Sequence, residues 1–489
     1  MKNWASMEST HHCHETLVIV VPLPAQGHLN QLLHLSRILA LRGLGVLYVA
    51  PSTHIQQVRH RVQGWASHDF DIRFQEFPMP DFLGGEPNPE SSRKFPEHFM
   101  PLFEAFEEQL PPHLDHLLST VCSSNDKRVV VVHDSTAGFV QTVAAKHEIP
   151  AYVFRPIGVY SSVSLRQPQD GTADSSPFNV SLTRRAPERW WKFIARQRSL
   201  LGPAKGYILN SFYALESEFI NRARERLASG GKPVWTVGPL LPQEFLDNGQ
   251  GLKLPTDSEY LTWLDTQAPA SVLYVSFGSV SSLSASEVRE LAAGLERSGQ
   301  PFLWVLRISD SARFSTESRS EWIQKCLPEG YERRIEGRGV IVRDWAPQLQ
   351  VLSHKSTGGF LTHCGWNSTL ESITAGVPMV AWPLHSDQFG NSMLIVRELK
   401  VGVEVKEWRN AEKHEIVSAE EVEKAVKRLM LDEEGTQIRK RSQELRSEAR
   451  KAVAEGGSSW RDLISLVHDI SQPLLRQDKE SAEAAMSHF

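Results

Sequence analysis

Short runs of consecutive apolar residues alternate with stretches of helical periodicity along most of the chain. Residues 17–21 form the first apolar run, residues from about 30 to 41 have helical spacing, and residues 45–50 form the next apolar run. An apolar strand, an amphipathic helix and a second apolar strand make a β-α-β unit, whose parallel sheet is covered on both faces. The pattern therefore predicts an α/β protein.

The same unit recurs three times further along the chain. Its apolar runs lie at residues 128–134 and 149–154, at 271–279 and 301–307, and at 358–366 and 377–383. In the third unit, Ser284 and Glu287 have the spacing of a capping box at a helix start. Gly299 is the residue at which we expect that helix to end.

The repeated units indicate two doubly wound, Rossmann-like domains that face each other across a cleft. Residues 241–260 are rich in Gly, Pro and Asp and lack apolar periodicity, which is typical of a linker. We expect a first domain over 1–245, a linker over 246–258 and a second domain over 259–455. Residues 456–489 are expected to form a C-terminal helix that returns to the first domain, followed by a tail. In such sheets ligands bind at the carboxyl ends of the strands.

The composition excludes several classes of protein. A chain of 489 residues with 40% hydrophobic and 23% charged residues is globular, and it is long enough for two domains. The net charge of −5, with both signs interspersed, indicates no nucleic-acid partner. No apolar run approaches the roughly 20 residues that span a bilayer, so we expect no stable membrane insertion.

The cysteines and the N-terminal histidines do not suggest a metal site. The cysteines lie far apart with no CxxC pair, which indicates free thiols in a reducing compartment and a cytoplasmic location; they are Cys13, Cys122, Cys326 and Cys364. His11, His12 and His14 surround Cys13 in a polar segment without the layout of a signal peptide. We interpret this cluster as a frayed terminus.

Residues 345–388 place polar side chains after two predicted strands. His363 follows the predicted strand at 359–362, and Asn367 and Ser368 stand at the start of the next helix. A helix N-terminus offers unpaired N–H groups and the positive end of the helix dipole, which suit an anion such as a pyrophosphate.

The rest of this segment suits the other parts of a nucleotide sugar. Glu371, one helical turn further on, could accept hydrogen bonds from ribose hydroxyls, and Asp387 and Gln388 could hold sugar hydroxyls. Trp345 offers a flat face on which a base could stack. Each residue alone has an ordinary explanation as a core aromatic or a helix cap. Their joint order within one segment predicts the site.

Residues 345–388 resemble, nearly position by position, the signature box of the plant secondary-product UDP-glycosyltransferases, and the resemblance extends over about residues 15–470. It implies a GT-B fold and an inverting, metal-independent transfer from a UDP-sugar, with no cofactor. It implies that the donor contacts Ser279, Trp345, Ala346, Gln348, His363, Gly365, Trp366, Asn367, Ser368, Glu371, His385, Asp387 and Gln388.

The resemblance also implies which part of the donor each residue meets. Trp345 would stack on uracil, Gln348 and Glu371 would face the ribose, Ser279, His363 and Ser368 the phosphates, and Trp366, Asn367, Asp387 and Gln388 the sugar. A Gln at position 388 favours UDP-glucose, with UDP-xylose as the alternative donor.

Transfer to a hydroxyl needs a base, and a carboxylate that orients this base. His28 lies in the predicted loop after the first strand, and Asp134 lies at the end of the strand at 128–134. Because parallel strands end at the same edge of a sheet, we expect the two side chains to be close. The resemblance assigns the catalytic base and its partner to the same two positions.

Three alternatives compete with metal-independent sugar transfer. A metal-dependent glycosyltransferase of another fold would hold its metal ion with an Asp-x-Asp after a strand, but the triplet Asp69-Phe70-Asp71 precedes a predicted strand and is interpreted as a loop. A nicotinamide dehydrogenase would need a GxGxxG after a strand, and none of the predicted strands has one. A non-catalytic nucleotide-sugar-binding protein stays an alternative, although such a protein has no use for the pair His28 and Asp134.

The acceptor is expected to be a small, hydroxylated, lipophilic molecule bound by the first domain of a monomer. Apolar residues at 77–82, 95–106 and 155–163 could line its pocket or could serve packing, and the polar segment 167–198 is expected to be a loop or short-helix region. Gln31 stands where most of the family has Pro, and residues 22–37 are similar to the zeatin O-glycosyltransferase branch. This similarity implies a zeatin-type cytokinin, with a flavonoid, isoflavonoid or other phenolic hydroxyl as the alternative.

Overall fold

The computed structural model describes residues 15–62, 72–79, 88, 90–91, 94–124, 127–164, 186–228, 231–248, 259–280, 283–307, 316–343, 345–407 and 416–472. The N-terminal cluster around Cys13 and the Asp69-Phe70-Asp71 triplet lie outside these residues.

The first half of the chain forms a seven-stranded parallel sheet. Its strands are β1 (Thr16–Val21), β2 (Gly45–Pro51), β3 (Ile72–Phe77), β4 (Arg128–Asp134), β5 (Ala151–Arg155), β6 (Gly206–Leu209) and β7 (Val234–Thr236). They lie in the order β3-β2-β1-β4-β5-β6-β7, and every neighbouring pair is parallel. The chain reverses its winding direction between β1 and β4, which is where a doubly wound sheet binds ligands.

Helices cover both faces of this sheet. They are α1 (Gln26–Leu41), α2 (Ser52–Val62), α3 (Met100–Ser124), α4 (Phe139–Lys146), α5 (Val159–Ser164), α6 (Glu188–Ser199), α7 (Tyr213–Ala228) and α8 (Gln243–Asn248), with a 3-10 turn at Glu97–Phe99. Strand β1 is buried along its whole length, as its continuous apolar run predicts.

The second half repeats the architecture with six parallel strands. They are β8 (Val272–Ser276), β9 (Phe302–Val305), β10 (Gly339–Val342), β11 (Thr357–Thr362), β12 (Met379–Ala381) and β13 (Gly402–Glu404). Their order is β10-β9-β8-β11-β12-β13, so the change of direction falls between β8 and β11. The prediction of two doubly wound α/β domains is therefore confirmed.

The helices of the second half are α9 (Glu259–Asp265), α10 (Ala285–Ser298), α11 (Thr316–Cys326), α12 (Tyr331–Arg334), α13 (Gln348–Ser353), α14 (Trp366–Ala375), α15 (Gln388–Met393), α16 (Ala419–Met430), α17 (Glu433–Val453) and α18 (Ser458–Ser471), with a π-helical turn at Leu394–Glu398. None of the described helices combines the length and the apolar character needed to span a bilayer.

Helix α10 begins and ends where its sequence signals lie. The Ser284 side chain accepts a hydrogen bond from the backbone N–H of Glu287, and the Glu287 carboxylate accepts one in return from the backbone N–H of Ser284. Gly299 caps the other end in the left-handed conformation, with φ of 72°. Both predictions for this helix are confirmed.

Two boundaries differ from those that the sequence predicts. Helix α1 begins at Gln26 rather than near residue 30, because its N-cap, Ala25, makes no side-chain capping bond that a sequence could reveal. Helix α8 includes residues 246–248 of the expected linker, and Phe245 and Leu246 are buried. The rest of that linker lies outside the described residues.

The last helix, α18, packs on the first sheet rather than on the second. Leu463, Leu466 and Ile470 are buried in the same cluster as residues of β1, β2 and β4. The Asp462 carboxylate accepts hydrogen bonds from the backbone N–H and the hydroxyl of Thr236, at 2.7 and 2.6 Å, and forms an ion pair with Arg224. This carboxylate ties the end of the chain to β7.

Replacing Asp462 by Ala should destabilise the protein, because it leaves the backbone N–H of Thr236 without its partner. We expect the free energy of unfolding in guanidinium chloride to fall by about 2 kcal/mol. Asp265→Ala is the matched control, since Asp265 is 68% exposed and contacts His354 at 3.3 Å. Equal stability of the two variants would contradict the role of Asp462.

Candidate active site

A cavity of about 660 Å³ lies between the carboxyl ends of the two sheets. Its wall contains loops and helix starts from both halves of the chain, and its volume suits a small-molecule site. From the first half it includes His28, Phe95, Phe103, Thr136, Arg155, Trp190 and Ile194, and from the second Ser279, Trp345, His363, Glu371, Asp387 and Gln388.

The structure brings His28 and Asp134 together. Nδ1 of His28 lies 2.7 Å from Oδ2 of Asp134, so the ring donates to the carboxylate through Nδ1. Asp134 ends β4, next to β1, and His28 lies in the first turn of α1 rather than in the loop that we expected. The imidazole is 23% exposed and borders the cavity, whereas the carboxylate is fully buried. Nε2 is the nitrogen left for a ligand.

Each member of this pair stabilises the charged form of the other. Burial lowers the pKa of His28. The charge and hydrogen bond of Asp134 raise this pKa by more than burial lowers it, so it lies above 6.5. Burial raises the pKa of Asp134, but the charge and hydrogen bond of His28 and two hydrogen bonds from Thr136 outweigh it and hold the pKa below its usual value. A carboxylate that stays ionised can hold the imidazole in one tautomer.

The neighbouring histidine, His133, has a different environment. Its side chain is fully buried, Nδ1 lies 2.9 Å from the backbone oxygen of Asp134, and Nε2 lies 3.4 Å from Oε1 of Gln141. Burial lowers its pKa. His133 is therefore a neutral core residue and does not border the cavity.

His363 lies between two glycines where β8 and β11 end side by side. A Cβ atom on Gly278 would lie 2.7 Å from Nε2 of His363, and a Cβ on Gly365 would lie 2.5 Å from it. Only glycine at these positions lets both loops approach the ring. Burial lowers the pKa of His363 to about 4, so the imidazole is neutral at pH 7 and can donate a hydrogen bond. Its Nδ1 is buried and has no hydrogen-bond partner among the described residues.

A hydrogen-bonded group at the start of α14 extends this wall. The Gln348 amide donates to the hydroxyl of Ser368, at 2.8 Å, and to the Glu371 carboxylate. Trp345 is 59% exposed and borders the cavity, so one face of its ring is open to a ligand. Ala346 is buried beside it in the same wall.

The loop after β12 holds Gln388 in one orientation. Its Oε1 accepts the backbone N–H groups of Leu384 and His385, at 2.9 and 3.0 Å, and its Nε2 lies 3.2 Å from the ring of His385. Burial lowers the pKa of His385 to about 3, so this ring is neutral. Asp387 is the N-cap of α15 and borders the cavity beside Gln388.

Trp366 and Asn367 contact the first domain, a role that their place in the signature segment did not predict. The indole N–H of Trp366 donates to the backbone oxygen of Asn210 at 2.7 Å, and the Asn367 amide donates to the backbone oxygen of Gly27 at 3.0 Å. The indole N–H of Trp366 is therefore used between the domains, while Trp366 also borders the cavity, and its place at the sugar end of the donor stays a prediction. The Asn367 bond places the start of α14 against the start of α1, and the Trp366 bond places it against the loop after β6.

Part of the cavity wall that the first domain provides is apolar. It includes Phe95, Phe103, Trp190, Trp191 and Ile194, and the Phe95 ring also contacts the ring of His385. Trp190, Trp191 and Ile194 lie on α6, within the segment that we expected to be a loop or short-helix region; residues 167–185 of that segment lie outside the described part. Phe77 and Phe106, in two of the expected pocket regions, are buried in the core instead.

Gln31 occupies a buried polar position behind His28. Its amide N–H groups donate to the backbone oxygens of Pro156, at 2.8 Å, and Gly27, at 3.1 Å, and its oxygen accepts a bond from Asn210 at 2.9 Å. Asn210 also provides the backbone oxygen that binds Trp366. The residue that stands in place of the family's Pro thus connects the first turn of α1 to the contact between the domains.

Comparison with known proteins agrees with this geometry. Residues 14–242 match the family model of the glycosyltransferase N-terminal domain, and residues 239–439 match that of UDP-glucuronosyl and UDP-glucosyl transferase. Zeatin O-glucosyltransferase of Phaseolus lunatus and zeatin O-xylosyltransferase of Phaseolus vulgaris are each 39% identical to this chain, over 94% of it and 98% of the relative.

Solved structures of plant glycosyltransferases share the fold. UGT2 of Phytolacca americana, complexed with UDP-2-fluoro-glucose and pterostilbene, superposes with a TM-score of 0.73 at 27% identity, over 94% of this chain and all of that one. Fold and cavity together define a nucleotide-sugar-dependent glycosyltransferase with the GT-B fold. More narrowly, the chain belongs to the UDP-glucuronosyl and UDP-glucosyl transferase family.

The pKa of His28 should fall when Asp134 is replaced by Asn. Burial alone lowers this pKa, and the variant removes the charge that opposes it, leaving only the weaker attraction of Asp387. Titration of the imidazole by NMR should give a value above 6.5 in the wild type and a value below that of the wild type in Asp134→Asn. Asp115→Asn, which alters a partner of His147, is the control. An unchanged His28 titration would contradict the pairing.

Proposed function

We propose that this enzyme transfers glucose from UDP-glucose to a hydroxyl of a small lipophilic acceptor such as a zeatin-type cytokinin, with inversion and without a metal ion or other cofactor. One observation carries the proposal. His28, which is paired with the buried Asp134, borders the same cavity as Trp345, His363 and Asp387, which are suited to a nucleotide sugar.

In the proposed reaction, neutral His28 acts as the base through Nε2. The acceptor hydroxyl gives its proton to Nε2 while its oxygen forms a bond to the anomeric carbon, and the bond from that carbon to the phosphate oxygen breaks. Asp134 stabilises the imidazolium ion that results. Because a base must be neutral to accept a proton, activity should rise with pH through the elevated pKa of His28.

The second domain holds the donor and its leaving group. The N-terminus of α14, together with His363 and Ser368, would take the charge that develops on the departing diphosphate. Glu371 would accept hydrogen bonds from the ribose, and the open face of Trp345 would stack on the uracil ring. These roles follow the chemistry of the side chains and their placement along one wall.

The donor sugar that we propose is glucose. Two backbone N–H groups occupy the Gln388 oxygen and the His385 ring lies near its nitrogen, so one amide N–H is left to serve a ligand, and Asp387 borders the cavity beside it. A donor and an acceptor side by side suit a sugar hydroxyl. UDP-xylose is the alternative donor. The relative named zeatin O-xylosyltransferase supports it, at the same 39% identity as the relative named zeatin O-glucosyltransferase.

The acceptor that we propose is a flat molecule with a hydroxyl directed at His28. The aromatic wall of Phe95, Phe103 and Trp190 suits such a molecule. A relative named zeatin O-glucosyltransferase at 39% identity favours a cytokinin. A phenolic hydroxyl is the second candidate, which the pterostilbene in the UGT2 complex supports.

Replacing His28 by Ala should abolish sugar transfer and leave UDP binding intact. The loss of a general base lowers kcat by about 10²–10⁴-fold. Turnover is measured as UDP release with acceptor present, and UDP binding by calorimetry. His116→Ala, on the exposed side of α3, is the control and should behave as the wild type. Near-normal turnover of His28→Ala would overturn the assignment of the base.

The enzyme should prefer zeatin to an isoflavone when both acceptors are present with UDP-glucose in one reaction mixture. We expect a glucoside of the zeatin side-chain hydroxyl, detected by mass spectrometry of the products. The same reaction mixture with UDP-xylose tests the donor. A glucoside of the phenol alone would refute the cytokinin proposal and establish the second candidate.

A further inference from the structure

Asn391 occupies the junction of three segments around the sugar end of the cavity. It lies on α15, three positions after the signature segment 345–388 ends, and its side chain is fully buried. Neither the base nor the leaving group needs it in the reaction proposed above. Its hydrogen bonds indicate a different role.

The amide nitrogen of Asn391 joins two loops of the second domain. It donates one hydrogen bond to Oδ2 of Asp387 and one to the backbone oxygen of Cys364, both at 2.9 Å. An amide nitrogen has two N–H bonds, so both are used. The side chain therefore fixes the carboxylate of Asp387 relative to the loop that carries His363.

The amide oxygen of Asn391 faces the first domain. It accepts a hydrogen bond of 2.6 Å from the hydroxyl of Ser161, on α5, which also lies 3.2 Å from the backbone oxygen of Asp387. Gly390 allows this approach, because a Cβ atom there would lie 2.5 Å from the Ser161 oxygen. The two domains thus meet at the same side chain that orients Asp387.

The position of Ser161 is itself held by a buried carboxylate. Glu216 accepts the backbone N–H of Tyr160, at 2.7 Å, and the hydroxyl of Ser211, at 2.6 Å. Glu216 belongs to α7, but its carboxylate binds the backbone at the start of α5 and so fixes the turn that carries Ser161. A fixed donor loses little conformational freedom when it binds Asn391.

The Asn391 amide stabilises the charged form of the buried Asp387 carboxylate. Burial raises the pKa of Asp387, and the hydrogen bond from Asn391 acts in the opposite direction by favouring the charged form. Without this bond the charged form of the Asp387 carboxylate is less stable, and its side chain can adopt other rotamers. A sugar hydroxyl would then meet a carboxylate that is no longer held in place.

We propose that Asn391 is a positioning residue for the donor sugar, acting through Asp387, and that Ser161 makes this positioning depend on contact between the two domains. The inference rests on the proposed function, in which Asp387 binds sugar hydroxyls. Ser161 and Asn391 then contribute to the binding of the sugar part of the donor and not to the binding of UDP.

The test compares the binding of UDP-glucose with that of UDP, by calorimetry, in Asn391→Ala. Losing a hydrogen bond to a charged group should weaken UDP-glucose binding on the order of 10- to 100-fold. UDP binding should change by less than about 2-fold, since UDP lacks the sugar. Unchanged UDP-glucose affinity, or an equal loss for both ligands, would overturn the proposal.

Ser161→Ala removes one hydroxyl and tests whether the positioning of the donor sugar depends on the first domain. We expect UDP-glucose affinity to fall about 3- to 10-fold. Ser161 reaches the Asp387 carboxylate through Asn391, and its direct contact with Asp387 is the longer one, to the backbone oxygen at 3.2 Å. The double variant should therefore bind UDP-glucose no more weakly than Asn391→Ala alone. Wild-type affinity in Ser161→Ala, or additive losses in the double variant, would overturn the link between the domains. This variant decides the matter even if Asn391→Ala does not fold.

Two further variants separate this inference from the proposed function. Ser392→Ala is the matched control, because its buried hydroxyl has no hydrogen-bond partner among the described residues, and wild-type affinity is expected. Asp387→Ala should weaken UDP-glucose binding selectively. If it does and Asn391→Ala does not, only the inference about Asn391 fails. If Asp387→Ala has no effect, the proposed sugar site fails and the inference fails with it.

Discussion

The buried carboxylate of Asp134 is the constraint around which the site is arranged. A charge removed from water must be compensated by hydrogen bonds, and here both oxygens are bound, one by His28 and the other by Thr136. Compensation is possible only because β1 and β4 are neighbours, so that α1 starts beside the end of β4. The same bond that satisfies the carboxylate turns Nε2 of His28 toward the cavity.

The contacts between the domains place this base relative to the donor loops. The side chains of Trp366 and Asn367 donate to backbone oxygens of the first domain, and Ser161 donates to Asn391. All three bonds join uncharged groups, so salt and pH near neutrality affect them less than they would affect ion pairs. The start of α14 is thus bound to the start of α1, and the residues suited to phosphate lie across the cavity from the residue suited to take a proton.

Much of this arrangement could be predicted from the sequence, because it follows from local patterns. Apolar runs and capping signals predicted the two sheets and α10, and the shared edge of parallel strands predicted that His28 and Asp134 would be close. The side-chain bonds between domains could not be predicted, since no local pattern records which backbone oxygen Trp366 will meet. Helix α6 was anticipated only as part of a loop or short-helix region, because polar residues dominate that segment. Asn391 had a detectable signal, as it lies four positions after Asp387 on a helix, where side chains face each other.

The configuration of the product tests the central claim most directly. With UDP-glucose, zeatin and excess EDTA, the proton coupling at the anomeric carbon of the product can be followed by NMR while released UDP is measured. Direct displacement with His28 as the base predicts a β-glucoside, formed in equal amount to the UDP released. An α-glucoside, or UDP release without any glucoside, would contradict the account.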